Sequence, residues 1–345
     1  MKIAVLCPSE IAYRRFMPAL SKCKDLFTYV GVAFAGEDEW FGSQQYEVQL
    51  KSETEKAKKF QSEYGGQIFE NYNDLLSCDA ECVYIPLPPA LHYFWAKKAL
   101  EHGKHVLLEK PFTTSLEDTR FLLEYAKTKS LTVHENYMFK YHSQIEYIRK
   151  ELENKTIGDI RLIRVDFGFP FRGLQDFRYN KEMGGGALMD CGGYVLKLVS
   201  VLLGKGANVK YAKLFQADNM NLDVDLYGNA VIETDCGITV QLSFGMDNDY
   251  RCNLDIWGSK GSIFTDRILT APEGFSPTLR IKHGTDIEER KLPLDDTFEK
   301  SIRFFHDCII GEEKREYNYK NILEQAMLVE RCVEYANNRN GFTGG

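Results

Sequence analysis

Through its first third the chain alternates short apolar runs with amphipathic stretches. Lys2–Leu6, Phe27–Phe34, Cys82–Pro86, His105–Glu109 and Leu131–His134 read as brief strands. Between them Ile11–Leu20, Glu53–Tyr64, Leu91–His102 and Leu116–Thr128 read as helices, and Gly103 is a good stop signal behind the third. Strands of this length separated by helices predict βαβ units, right-handed crossovers and a mostly parallel sheet.

The remainder has a different rhythm. Ser143–Leu152 suggests a helix, Ile160–Phe169 a strand, and G184-G-G-A-L-M-D-C-G-G-Y194 opens a long apolar helix running to about Leu203. Period-two alternation then takes over. Ile238, Val240, Leu242 and Phe244 share one face, while Thr239, Gln241 and Ser243 share the other; Tyr250–Gly258 alternates likewise. Such strands predict an antiparallel sheet with one face on a core and one more polar face, either solvated or set against another subunit. A last helix, Ile322–Tyr335, closes the chain. The expected fold is α/β: an N-terminal Rossmann-type doubly wound parallel sheet, then an α+β domain with a large, mostly antiparallel open sheet. The pattern changes between about Tyr137 and Gly158, and the expected domains are residues 1–125 for dinucleotide binding and 126–345 for substrate binding and oligomerisation.

Composition narrows the class. The 345 residues suffice for about two domains, and 44% hydrophobic with 27% charged is ordinary for a globular protein. A net charge of −7 argues against a nucleic-acid footprint. No apolar run suggests a membrane span, and Met1–Leu6 reads as a first strand rather than a signal peptide. Nine scattered cysteines without a C-x-x-C pair predict free thiols in a reducing cytoplasm. The seven histidines form no metal-binding motif, so no metal is expected.

Candidate chemistry lies where the patterns break. In L107-L-E-K-P-F112 the apolar run stops at Pro111, leaving Glu109 and Lys110 at a strand's carboxyl end, the edge that faces the ligand crevice in open α/β sheets. Asp190 and Tyr194 are four apart and share a helix face. A carboxylate and a phenol there can bind one substrate hydroxyl. The sequence equally allows Asp190 as a helix cap and Tyr194 as a core aromatic. His92 reads as a structural histidine at a helix start.

These blocks, with I11-A-Y-R-R-F-M-P-A-L20, Y84-I-P-L-P-P-A-L-H92, the run from Ala99 to Pro111 and W257-G-S-K-G-S-I263, resemble the glucose–fructose oxidoreductase / inositol dehydrogenase (Gfo/Idh/MocA) family. The resemblance covers almost the whole chain. It implies a nicotinamide-dependent oxidoreductase moving a hydride to or from a carbinol or carbonyl carbon of a sugar, nucleotide-sugar or cyclic polyol, with the active site between two domains. It maps the catalytic lysine, aspartate and His-or-Tyr positions to Lys110, Asp190 and Tyr194. The cofactor residues it implies are Ser9, Glu10, Ile11, Phe34, Pro86, Leu87, Glu109 and Lys110, with Glu109 near the nicotinamide ribose. Lys110, Lys140 and Lys197 could gather as cations near one pocket, and with Tyr137 the last two are the expected substrate contacts.

The chain departs from the family at the phosphate loop. G-x-G-x-x-[GA] is replaced by C7-P-S-E-I-A12, which weakens the expected cradle. Phe34 and Ala35 end the second strand where an acid would select NAD, so NAD or NADP is left open. A non-catalytic or regulatory relative, or an enzyme that permanently holds and recycles NAD, are the alternatives. A homodimer or homotetramer is expected, with the Thr239–Gln241–Ser243 face buried in it.

Overall fold

The computed structural model describes residues 1–40, 46–204, 206–216 and 222–338. The chain forms two compact units, Met1–Asn136 with Phe298–Leu323, and Tyr137–Thr297 with Glu324–Gly345.

In the first unit β1 (Lys2–Val5) is followed by α1 (Met17–Ser21), β2 (Thr28–Ala33), α2 (Tyr46–Tyr64), β3 (Gln67–Phe69) and α3 (Tyr72–Ser77). Then come β4 (Cys82–Ile85), α4 (His92–Glu101), β5 (His105–Leu108), α5 (Leu116–Thr128) and β6 (Val133–Glu135). The strands pair in the order β3-β2-β1-β4-β5-β6, and every pair is parallel. Strand β4 is buried throughout, and so is β5 from Val106 to Leu108, as a sheet covered on both faces requires. Short side chains start the helices: Ser115 accepts the Asp118 amide at 3.0 Å and Asn71 accepts that of Asp74 at 2.7 Å. A wide π-type turn, Ala12–Phe16, precedes Pro18, which lacks the amide a regular turn would need.

The second unit holds α6 (Ser143–Glu153), β7 (Ile160–Gly168), α7 (Gly193–Leu203), β8 (Ala207–Phe215), β9 (Tyr227–Thr234), β10 (Thr239–Gly245) and β11 (Arg251–Gly258). It continues with β12 (Gly261–Thr265), β13 (Thr278–His283) and β14 (Asp286–Lys291). The sheet order is β14-β13-β12-β11-β7-β10-β9-β8; only β7–β10 is parallel among these pairs. Val240, Leu242 and Phe244 are buried while Gln241 and Ser243 are exposed, as the alternation requires. Lys181–Leu203 is apolar and long enough to cross a membrane, a span the sequence reading did not find, but it is mostly buried in the protein. With its preceding loop, α7 lies among the residues of this unit's core.

Two boundaries differ from expectation. The division falls after Asn136 rather than after residue 125, because β6 extends the first sheet. The chain also returns: α8 (Thr297–Ile310) and the start of α9 (Glu312–Asn338) complete the first unit. Ile302, Phe305, Cys308, Tyr319 and Ile322 of this return are buried. Tyr319 donates its hydroxyl to the carbonyl of Leu131, and Thr132 donates to that of Cys308 at 3.2 Å. The free thiols agree with expectation: none of the nine cysteines is in a disulfide.

Phe305 is fully buried and stacks on Phe27 at 6.2 Å. Phe305→Ala is expected to cost about 3–5 kcal/mol. Urea unfolding should show a lower midpoint for the first unit; an unchanged midpoint would mean that the return does not anchor there.

Candidate active site

The parallel sheet of the first unit brings the carboxyl ends of β1, β4 and β5 to one edge. Cys7–Ile11, Pro86–Leu87 and Glu109–Lys110 emerge there. Strand order reverses beside β1, the position where this architecture binds dinucleotides.

The loop after β1 caps the next helix with a side chain where the motif has glycine. Ser9 Oγ accepts the Ala12 amide at 3.3 Å, and the Ser9 carbonyl accepts the Tyr13 amide at 3.0 Å. The amides of Glu10 and Ile11 open the helix with no intrahelical acceptor, an arrangement that favours an anion. The Glu10 carboxylate turns to Arg14, 3.5 Å away on the exposed side, which offsets its repulsion of a phosphate. Burial pushes the Cys7 thiol up to about 12, so it brings no negative charge. Together these features fit a dinucleotide diphosphate, although Pro8 contributes no donor.

At the end of β2, Phe34 is buried, with its amide on the Phe69 carbonyl at 3.3 Å. Glu37 and Asp38 are exposed. The buried acid is Glu39, which the sequence reading overlooked. Its carboxylate accepts the amides of Gly36 at 3.0 Å, Tyr72 at 2.6 Å and Asn73 at 2.9 Å, so it is committed to capping α3.

Glu109 directly follows β5. Its Oε1 accepts from the Tyr84 hydroxyl at 2.7 Å and the Asn136 side-chain amide at 2.6 Å. Burial raises its carboxyl above the usual range, while those two donors pull it back. Lys110 is half-buried and is followed by a cis peptide bond to Pro111. His92 ties the two loops together. Its Nδ1 lies 2.7 Å from the Pro111 carbonyl and its Nε2 lies 2.8 Å from the Leu87 carbonyl. It is a buried structural residue, as the sequence suggested.

In the second unit Asp190 stands in a wide helical turn, Leu188–Gly192, that leads into α7. Its Oδ2 accepts from Arg178 Nε at 2.8 Å, and Arg178 also donates to Asp176 at 3.1 Å. Arg178 was not foreseen, because it lies twelve residues before Asp190 in a loop without regular spacing. Its guanidinium is held charged by the two carboxylates. The turn itself is capped by Asp225: Oδ2 accepts the Leu188 amide at 2.7 Å and its carbonyl accepts that of Ala187 at 2.8 Å. Burial raises the Asp225 carboxyl to about 6. Gly186 has φ +121°, and a Cβ there would lie 2.5 Å from Asp225 Oδ1.

Tyr194 packs among aromatic rings, 5.2 Å from Tyr137, 5.8 Å from Phe139 and 5.3 Å from Phe167. Its hydroxyl lies 4.0 Å from Met138 Sδ. Tyr137 is fully buried, and a Cβ at Gly193 would lie 2.2 Å from its hydroxyl, so the helix backbone packs directly on it. Lys197 is buried with its ammonium 5.5 Å from the Tyr137 ring centroid. Lys140 is half-exposed, 4.8 Å from the Tyr141 ring. Among the described residues, no group of three His, Cys, Asp or Glu side chains is placed to hold a metal.

Two family models match the chain. "Oxidoreductase family, NAD-binding Rossmann fold" covers residues 29–137, and "GFO/IDH/MocA C-terminal domain" covers 145–264. The chain is 34% identical over 332 residues to a dTDP-3,4-didehydro-2,6-dideoxy-alpha-D-glucose 3-reductase of Actinomadura kijaniata, covering 96% of this chain and 94% of that one. A protein of the same name from Streptomyces violaceoruber is 37% identical over 293 residues, covering 82% and 85%. A solved 3-ketoreductase from Actinomadura kijaniata, in complex with NADP and TDP-benzene, superposes with a TM-score of 0.86 at 33% identity, over 97% of both chains.

The two carbonyls at His92 favour its imidazolium, which alone can donate from both nitrogens, but burial wins and pushes His92 from 6.5 down to about 4. Below about pH 6.5 the unfolded chain therefore takes up a proton that the native chain refuses. Stability falls as pH drops from about 6.5 to about 4, a difference worth roughly 3 kcal/mol. His105, also lowered to about 4, adds to this slope, and Asp225 opposes it. His92→Gln should flatten the loss of stability over that window, as measured by denaturant titrations at several pH values. An unchanged slope would show that His92 is not the buried neutral group described.

Proposed function

The chain belongs to the Gfo/Idh/MocA family and is a nicotinamide-dependent oxidoreductase acting on CH–OH and carbonyl groups of sugars, and we propose that it reduces the 3-keto group of a dTDP-linked deoxysugar with NADPH. The observation that carries this reading is the whole-chain likeness to reductases of that name, together with the likeness to a ketoreductase solved with NADP and a TDP compound. NADPH over NADH also fits the end of β2. The acid there that could bind ribose hydroxyls, Glu39, is committed to the α3 backbone, and its neighbours Glu37 and Asp38 are exposed.

In this reading the amides of Glu10 and Ile11 and the hydroxyl of Ser9 hold the diphosphate, Phe34, Pro86 and Leu87 line the cofactor, and Glu109 takes the nicotinamide ribose. Bound NADPH supplies the hydride. The chain's own task is to bind the sugar and deliver a proton to the developing alkoxide. Lys110 and Tyr194 are the proposed donors. Both are placed by rigid backbone, Lys110 just after a buried strand and Tyr194 on a buried helix. Asp190 is the proposed acceptor for a sugar hydroxyl; its pairing with Arg178 fixes one oxygen and opposes its protonation. Tyr137, Lys140 and Lys197 are the proposed substrate contacts: Tyr137 packs on the Tyr194 ring, Lys197 lies over the Tyr137 ring, and Lys140 is the cation proposed to meet the substrate's diphosphate. Solved structures of the Actinomadura ketoreductase include variants with one lysine or one tyrosine replaced, the residue types assigned here as donors. Free thiols throughout fit a reducing cytoplasm.

Lys110→Ala and Tyr194→Phe are each expected to lower kcat about 10²–10⁴-fold with NADPH and a dTDP-3-keto-deoxysugar. NADPH binding by Tyr194→Phe should be near that of the unmodified protein. Turnover close to the unmodified enzyme's in either variant, followed at the reduced-nicotinamide absorbance band, would remove that residue from the chemistry.

The outer face of the second sheet is proposed to pack on a second copy. Gln241 and Ser243 are flanked there by exposed Tyr227, Trp257 and Phe264, an unusually aromatic surface for a solvated sheet. Light scattering at micromolar concentration should give a dimer or tetramer, and Trp257→Glu should weaken it. A monomer under those conditions would contradict the proposal.

A further inference from the structure

A line of buried polar side chains crosses the first unit and ends on Glu109. Asn318 donates its side-chain amide to the Val133 carbonyl at 2.7 Å, so its oxygen faces His134 Nδ1 at 3.0 Å. His134 Nε2 faces Ser301 Oγ at 3.1 Å, and Ser301 lies 2.8 Å from the Asn136 amide. Asn136 reaches Glu109 at 2.6 Å. His134, Asn136, Ser301 and Asn318 are each at most 1% exposed. Ser301 and Asn318 come from the C-terminal return, so one consequence of that return is to complete this line.

The donors and acceptors restrict where protons can sit. Asn318, anchored by Val133, presents an acceptor, so His134 Nδ1 must carry a hydrogen. Two arrangements then satisfy every link of this line. In one, His134 is an imidazolium donating to Ser301, Ser301 donates to the Asn136 oxygen, and the Asn136 nitrogen donates to an ionised Glu109. In the other, Ser301 donates to a neutral His134, the Asn136 amide is turned over to donate to Ser301, and protonated Glu109 donates to the Asn136 oxygen. Both arrangements hold the same number of protons. Removing one, to leave neutral His134 with ionised Glu109, strands an acceptor against an acceptor at one link whichever way the amide is turned. A buried unmade hydrogen bond is costly.

We infer that His134 and Glu109 share one proton through Ser301 and Asn136, and that this line is the positioning and charge-setting device for the carboxyl group beside Lys110. The raised carboxyl of Glu109 agrees with such sharing. The consequence for function rests on the cofactor role proposed above for Glu109: with Oε1 held by the line and by Tyr84, Oε2 keeps a fixed direction toward the ribose.

The test reads protons directly. Protein labelled with ¹⁵N-histidine reports the protonation of both His134 ring nitrogens by NMR at neutral pH, with His134→Gln giving the assignment. Infrared difference spectra against Glu109→Gln report whether the Glu109 carboxyl is protonated. The expected result is an imidazolium with an ionised carboxyl, or a neutral Nδ1–H imidazole with a protonated carboxyl. A neutral His134 beside an ionised Glu109, or an Nε2–H tautomer, would overturn the inference. Ser301→Ala cuts the line without changing either titrating group. It should produce the unshared state and weaken NADPH binding about tenfold or more, and spectra unchanged by the cut would also overturn the inference. The wild-type spectra decide the matter even if the Ser301 variant folds poorly. Glu109→Gln with undiminished NADPH affinity would refute the ribose role alone, so the two failures are separable.

Discussion

The role proposed for Lys110 needs a backbone that cannot drift, and in the first unit β5 meets that constraint. From Val106 to Leu108 the strand is fully buried, paired with β4 on one side and β6 on the other. It stops because Pro111 has no amide to continue a ladder. Glu109 and Lys110 are thus delivered at the sheet edge by a strand that cannot move without unpairing its neighbours. His92 then fastens the turn at Pro111 to the Leu87 loop, and Tyr84 and Asn136 fasten the Glu109 carboxyl.

The second unit reaches the same end with helix backbone in place of a strand. The role proposed for Asp190 needs a carboxylate held in one direction, and Arg178 Nε holds its Oδ2 at 2.8 Å. Asp225 caps the turn that carries Asp190, and the absence of side chains at Gly186 and Gly193 lets that turn and α7 pack directly on Asp225 and Tyr137. A methyl group at Gly186 would meet Asp225 Oδ1 at 2.5 Å on a backbone with φ +121°, and one at Gly193 would meet the Tyr137 hydroxyl at 2.2 Å, so in each case a neighbour must give way.

The two-sheet plan was legible because each half has its own period. Buried parallel strands read as continuous apolar runs, and β10 and β11 alternate strictly. Lys110, Asp190 and Tyr194 stand out as candidates because they sit where a strand stops or a glycine run opens a helix. What could not be read were partners distant along the chain. Arg178 reaches Asp190 through an irregular loop, Glu39 caps a helix 33 residues later, and Ser301 meets Asn136 across 165 residues. No local pattern encodes such pairings, since they depend on where the fold brings the backbone. The same reason hid the return of α8 to the first unit, whose apolar face gives no sign of which sheet it covers. The altered C7-P-S-E-I-A12 loop read as damaged because the motif specifies glycine. The structure supplies a different cap from Ser9 and pairs the awkward Glu10 with Arg14.

In the proposed reaction hydride passes from NADPH to a ketone carbon of a nucleotide sugar while protein groups protonate its oxygen. The most direct test is isotopic. The enzyme is incubated with NADPH carrying deuterium at both C4 positions of the nicotinamide ring and a dTDP-3-keto-deoxysugar in ordinary water, and the product is examined by NMR. The account predicts one deuterium on C3 of the sugar, transferred from a single face of the ring, and none elsewhere. A product carrying no deuterium at C3, or a mixture of both stereochemistries there, would contradict it.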